Sequence, residues 1–170
     1  MKIVDWLCER DDGLAHLSVD ERDATVSFSL LWMYFEARLV NTRASATSLK
    51  ALVGRLEAEN RPLNTQSIAD CYEYFRQRYW DGNGPSGYFP GLKMSEEMAH
   101  EVLSTLAMPP TDRAKLEVCL LVVLRYRNNL FHGTKWLYGL EGQQANFEYA
   151  VQLLKAVIAL DDERRSSKAP

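Results

Sequence analysis

The chain has 170 residues, with 20 Lys and Arg against 23 Asp and Glu, and its formal net charge is −3. This length predicts one domain, and a composition that is 46% hydrophobic and 25% charged excludes a disordered chain, a collagen and a low-complexity scaffold. The mildly acidic balance argues against a module that coats duplex nucleic acid with a basic surface. Any nucleic-acid contact would need a local basic site.

The first half of the chain is predicted to form three long helices followed by a loop. Apolar residues repeat at helical spacing over residues 20–39, 45–59 and 65–80. The segment 81–94, DGNGPSGYFPGLKM, then holds four glycines and two prolines. Such a density of helix breakers predicts an irregular loop.

The second half is predicted to begin with a short helix, from Ser95 to about Ala107, with Ser95 as its N-cap. Residues 112–131 lack Gly and Pro and contain the continuous apolar run 118–124, which predicts a central buried helix. After a loop over 133–145, a last helix is predicted over 146–160.

These elements predict an all-α protein, a single helical bundle of four to five long helices plus one or two short ones. The domain is expected to cover residues 1–160, and the polar tail 161–170 is expected to be disordered.

The cysteines Cys8, Cys71 and Cys119 are far apart and form no CxxC pair, so we expect reduced thiols and neither a disulfide framework nor a metal site. No motif indicates a cofactor. Residues 1–20 are rich in Asp and Glu and contain no signal-peptide core. The run 118–124 is far shorter than the roughly 20 residues that cross a bilayer. We expect a cytoplasmic protein with no membrane contact.

Polar residues crowd the end of the predicted central helix, where Arg127, Asn128, Asn129 and His132 follow the apolar run. At about 100° per residue, Asn128 and His132 lie about 40° apart, whereas Arg127 lies about 140° from His132. Arg127 and His132 can therefore flank one cleft without stacking. Histidine changes charge near neutral pH and suits general acid–base catalysis, and the guanidinium fork of arginine suits a phosphate.

The run Arg127-Asn128-Asn129-Leu130-Phe131-His132-Gly133 resembles the signature of the HEPN superfamily, the higher eukaryotes and prokaryotes nucleotide-binding domains. That signature is an arginine, a polar residue and a later histidine near the end of a late bundle helix. At motif level the resemblance covers residues 124–133, and as an all-helical layout it covers most of the chain. It implies a metal-independent endoribonuclease that works as a homodimer, commonly in a toxin or phage-defence setting.

The resemblance also implies roles for individual residues. His132 would move the proton of the RNA 2′-hydroxyl or of the leaving 5′-oxygen, and Arg127 would stabilise the phosphorane-like transition state. Asn128 would orient the arginine or the phosphate. The product would carry a 2′,3′-cyclic phosphate.

Three further residues complete the predicted site. Asn129 and Lys135 are assigned to substrate binding, with an ordinary exposed lysine as the alternative for Lys135. Glu36, on the first long helix, is the acid expected to pair with Arg127, although a surface salt bridge elsewhere would also explain it.

Two alternatives remain open: a catalytically inactive HEPN dimer that binds nucleotide or RNA, and a helical protein-interaction adaptor in which the motif only ties helices together. An antitoxin or other regulatory protein is a further candidate partner.

In members silenced by adenylylation, a tyrosine stands two residues after the histidine, where this chain has Thr134. Tyr88 and Phe89 in the glycine-rich loop would either stack on a base or pin the loop to the core.

Overall fold

A computed structural model of the protein describes residues 3–132 and 139–167. Within these ranges the regular structure is helical, which confirms the predicted all-α class. In chain order the helices are α1 (Ile3–Cys8), α2 (Asp12–Ala15), α3 (Val19–Leu39), α4 (Ala46–Ala58), α5 (Gln66–Tyr79), a 3₁₀ helix (Phe89–Leu92), α6 (Glu96–Ala107), α7 (Asp112–Phe131) and α8 (Gln144–Ser167).

Short local signals set where the long helices begin. The Ser18 side chain accepts the backbone N–H of Glu21, whose carboxylate accepts the N–H of Ser18, so a capping box opens α3. Thr111 accepts the N–H of Ala114 at the start of α7. These bonds satisfy backbone donors that a helix start leaves without partners. The helix starts therefore fall close to the predicted positions.

The helix α7 lies at the centre of the bundle, in contact with α4, α5, α6, α8 and the 3₁₀ helix. Every residue of the run 118–124 is buried, as predicted for a central helix. On one side of this core α3 runs along α8, where the rings of Phe28 and Phe147 stack at 5.1 Å. None of the helices in the described residues combines the length and apolarity needed to cross a bilayer.

The segment 81–94 is more ordered than its composition predicts. Asp81 accepts the backbone N–H groups of Asn83 and Gly84, both at 2.9 Å, which closes a tight turn and lowers the pKa of its carboxyl. The 3₁₀ helix follows and buries Phe89 and Leu92. The prediction of a wholly irregular segment was therefore wrong for its second half.

The last helix is longer than predicted. It continues to Ser167, so the helix does not stop near Leu160 and the expected tail 161–170 is helical over most of its length. Tertiary ion pairs hold this extension, and the Asp161 carboxylate, 1% exposed, accepts from Arg55 at 3.3 Å. Further pairs join Arg38 to Asp162 and Arg61 to Glu163.

Candidate functional site

The last turns of α7 present polar groups to two different sides. Tyr126 and Asn129 point into the protein and are 3% exposed each. Arg127 lies on the outer side, where it pairs with Glu36 of α3, and Phe131, four residues later, lies beneath the same guanidinium. Consecutive residues diverge because each step along a helix turns by about 100°. The end of α7 therefore contributes to two separate polar regions.

The Arg127 guanidinium is held at two of its nitrogens. Nη2 donates to Glu36 Oε2 at 3.4 Å, and Nη1 donates to Asn128 Oδ1 at 3.0 Å. The predicted pairing of Glu36 with Arg127 is thus confirmed. Among the described residues, these bonds leave one N–H on each terminal nitrogen, and the buried Nε has no partner. With the side chain 27% exposed, the group has donors to offer an oxyanion.

Glu36 is oriented by two hydrogen bonds that do not involve Arg127. Its Oε2 accepts the indole N–H of Trp32 at 2.7 Å, and its Oε1 accepts the backbone N–H of Ala44 at 3.1 Å. The guanidinium also lies 6.0 Å from the ring centroid of Trp32 and 5.7 Å from that of Phe131. Charge, hydrogen bonds and ring faces therefore all restrict Arg127 to one orientation. Glu36 also offsets part of the positive charge.

His132 ends α7 as its C-cap residue. Its backbone N–H donates to the carbonyl of Asn128 at 3.0 Å, and its side chain is exposed. No hydrogen bond joins its imidazole to another residue in the described ranges. The structure thus brings Arg127, Asn128 and Glu36 together and places His132 one turn beyond Asn128, at the surface.

Of the two residues assigned to substrate binding, Asn129 does not join this cluster. Asn129 is buried on the other side of α7, where its Nδ2 donates to the carbonyl of Gly91 at 3.0 Å and ties the helix to the 3₁₀ helix. Lys135 and Thr134 lie outside the described residues. Asn129 therefore belongs to a second polar region, separate from Arg127.

That second region was missed by sequence reasoning. Tyr126 donates its hydroxyl proton to Asn146 Oδ1 at 3.1 Å, so Tyr79, 2.7 Å from the Tyr126 oxygen, is the donor to Tyr126. Tyr74 donates to the same Asn146 oxygen at 2.8 Å. These residues come from α5, α7 and α8, and tyrosines at helical spacing look like ordinary core. No local pattern in the sequence indicates the cluster.

Burial controls the protonation of these phenols. It raises the pKa of Tyr79 to about 12 and that of Tyr126 well above its ordinary value. Both hydroxyls therefore remain neutral donors throughout the physiological pH range. The cluster is a network of neutral phenols and an amide, with the Arg78 guanidinium close enough to act on Tyr74 and Tyr79.

The described residues include no group of three or more His, Cys, Asp or Glu side chains placed to hold a metal ion. No family model matches the chain, and neither a curated protein nor a solved structure matches it.

Proposed function

We propose that the protein is a metal-independent endoribonuclease of the HEPN type that acts as a homodimer, in a toxin or phage-defence setting. The observation that supports this most is the orientation of the Arg127 guanidinium together with its remaining N–H donors. Its guanidinium is oriented by Glu36 and Asn128 yet keeps N–H donors to spare, close along the chain to the exposed His132. Phosphodiester cleavage by this route uses an oriented cation and an acid–base group, and Arg127 and His132 offer one of each.

In the proposed reaction, His132 takes the proton of an RNA 2′-hydroxyl, and the 2′-oxygen attacks the neighbouring phosphorus. The bond from the 2′-oxygen to phosphorus forms while the bond from phosphorus to the 5′-oxygen breaks. Arg127 donates to the phosphorane oxygens, whose negative charge grows in the transition state. The leaving 5′-oxygen takes up a proton from water and His132 returns its proton to solvent, which gives a 2′,3′-cyclic phosphate and a 5′-hydroxyl.

An apolar stripe on α3 supports the homodimer. Val26, Leu30, Met33 and Tyr34 are 49%, 59%, 51% and 48% exposed and share one face of that helix. Exposed apolar patches of this kind mark interaction surfaces. The stripe runs along the same helix that carries Glu36, the ion-pair partner of Arg127.

A second candidate is a helical interaction module without catalytic activity. The ion pair between Arg127 and Glu36 favours it, because a residue that only ties α7 to α3 would make the same contact. In that case the α3 stripe would bind a partner and His132 would have no chemical role.

Cleavage of RNA in the presence of EDTA separates the two candidates. Wild type would be compared with Arg127→Ala and His132→Ala, and with His100→Ala as a matched exposed histidine on α6. The nuclease proposal expects 2′,3′-cyclic phosphate ends from wild type and His100→Ala. It expects a loss of at least about 100-fold in the other two variants, with unchanged helicity and oligomer size. A well-folded wild type that cleaves no tRNA, mRNA or structured RNA would contradict it.

A further inference from the structure

A cavity of about 190 Å³ lies on the side of α7 away from Arg127. It is enclosed by the end of α5, the loop that carries the 3₁₀ helix, the end of α7 and the start of α8. The polar side chains that line it are Arg78, the tyrosines Tyr79, Tyr88 and Tyr126, and the amides Asn129, Gln143 and Asn146. The cavity thus brings one cation, three phenols and three amides around a small space.

The volume of the cavity limits what it can hold. Sites for drug-sized ligands typically measure about 300–1,000 Å³. A cavity of about 190 Å³ fits one planar ring system and not a complete nucleotide. A sugar and phosphate attached to such a ring would have to remain outside, toward solvent.

The mouth of the cavity offers a stacking surface. Tyr88 is 63% exposed, and the Arg78 guanidinium lies 4.4 Å from its ring centroid. Phe89, in contrast, is 8% exposed and packs edge-on against Tyr79. Of the two aromatic residues in the loop, Phe89 therefore pins it to the core, whereas Tyr88 remains available. Aromatic rings and guanidinium planes are the groups on which proteins stack unpaired bases.

The floor of the cavity offers hydrogen-bond donors. The side-chain nitrogen of Asn129 donates once to Gly91, and that of Asn146 donates once to Gln143 Oε1 at 2.7 Å. Each amide nitrogen carries two protons, so a second N–H remains on each beyond these bonds. The Nε of Arg78 is buried and has no hydrogen-bond partner among the described residues. These donors suit the ring nitrogens and carbonyl oxygens along the edge of a base.

The cavity is held open in its present shape. Arg125 Nε donates to the carbonyl of Leu92 at 2.8 Å, next to the Asn129 bond to Gly91, so two side chains of α7 anchor the loop. The Asn146 amide is oriented by the hydroxyls of Tyr74 and Tyr126, which both donate to its oxygen. A ligand would therefore meet walls that are already ordered, which reduces the entropy lost on binding.

We propose that this cavity binds a single nucleobase, stacked at Tyr88 and Arg78 and hydrogen-bonded along its edge by Asn129 and Asn146. The site is separate from Arg127 and His132, and it does not depend on the nuclease proposal. The base belongs either to a free nucleotide or to a single-stranded nucleic acid, and binding measurements distinguish these sources.

Calorimetric titration of the full chain tests the proposal. The ligands are the four 5′-ribonucleoside monophosphates, a 2′-O-methyl RNA heptamer that transfer from the 2′-oxygen cannot cut, and ribose 5-phosphate as the base-free control. The variants are Tyr88→Ala, Tyr88→Phe and Trp6→Ala. Trp6 is the matched control because it is an exposed aromatic residue that also lies beneath an arginine, Arg10, but lines no part of this cavity.

We expect Tyr88→Ala to weaken binding about 10-fold, since stacking of a base on an aromatic ring contributes about that much. Tyr88→Phe and Trp6→Ala should bind as wild type does. Binding of monophosphates identifies a free nucleotide, and binding of the heptamer alone identifies a strand. The proposal is overturned if neither binds, if ribose 5-phosphate binds equally well, or if Tyr88→Ala has no effect. Loss of RNA cleavage in the Arg127 and His132 variants bears only on the nuclease.

Discussion

The two sides of the end of α7 satisfy their polar groups in different ways. On the outer side, the charged Arg127 keeps 27% of its side chain in solvent and pairs with a carboxylate. On the inner side, Tyr126 and Asn146 are almost fully buried and form neutral hydrogen bonds. A buried neutral group needs only a hydrogen bond, whereas a fully buried charge carries a much larger desolvation penalty. The charged group therefore lies where solvent still reaches it, and the neutral hydrogen bonds lie where solvent does not.

The inner side should be the more sensitive to loss of a partner. Asn146→Ala leaves the hydroxyls of Tyr74 and Tyr126 without their shared acceptor, and unpaired buried groups cost about 1–3 kcal/mol each. We expect the free energy of unfolding to fall by about 3 kcal/mol in urea titrations. Asn128→Ala, the matched asparagine on the outer side, should cost less than about 1 kcal/mol. Equal losses would contradict the contrast between the two sides.

Alkaline pH should lower the free energy of unfolding through the buried tyrosines of the inner side. The pKa of Tyr79 is raised to about 12 in the folded protein, above the value of about 10 expected when unfolded. The contribution of the Tyr79 hydroxyl to the free energy of unfolding is fully present below pH 10 and is lost as pH rises toward 12. The reason is that Tyr79 loses its proton at a lower pH in the unfolded chain than in the folded protein.

Urea titrations of wild type and Tyr79→Phe between pH 8 and 11 measure this effect. Wild type should lose about 1 kcal/mol more than the variant by pH 11. Parallel pH profiles for the two proteins would show that the Tyr79 hydroxyl does not titrate as its burial requires.

The ion pair on the outer side should show a smaller coupling. A double-mutant cycle with Glu36→Ala, Arg127→Ala and the double variant isolates it from the other contacts of each residue. We expect a coupling of about 1 kcal/mol, at the upper end for exposed pairs, because both side chains are largely shielded. The coupling should decrease in 1 M salt. A coupling of zero would leave Arg127 held by Asn128 and the aromatic rings alone.

The stripe on α3 should matter least for the stability of the fold. Leu30→Glu and Met33→Glu change exposed residues, so each should alter the free energy of unfolding by less than about 0.5 kcal/mol. If the homodimer forms through the stripe, both should shift the mass in light scattering from dimer to monomer. Met108→Glu, at an apolar residue that is 70% exposed elsewhere, is the control. A dimer that survives both changes would place the interface elsewhere.

Much of the fold was predictable because its signals are local. The apolar run 118–124 identified the central helix, and the absence of Gly and Pro over 112–131 gave its extent. The extension of α8 to Ser167 was not predictable, because a polar segment looks disordered until Arg55 is known to lie beside Asp161. The order within 81–94 likewise depends on anchors from α7, which the segment itself does not encode.

The candidate site was likewise predictable only in part. The motif on α7 indicated Arg127, and Glu36 was predicted as its partner from its place among the aromatic residues of α3. Asn129 was grouped with them because it is adjacent in sequence, yet the turn of the helix puts it on the inner side. The cavity beside it is formed by four separate parts of the chain. Its residues become neighbours only in the folded protein.

The contacts of Glu36 restrict which residue can occupy that position. One oxygen accepts from Trp32 and Arg127, while the other accepts the N–H of Ala44 and so closes the connection between α3 and α4. Glutamine has one acceptor oxygen and would lose the hydrogen bonds at one of these two positions, and aspartate is shorter by a methylene. Position 36 thus has very little mutational tolerance, because only glutamate supplies two acceptor oxygens at this reach from the backbone.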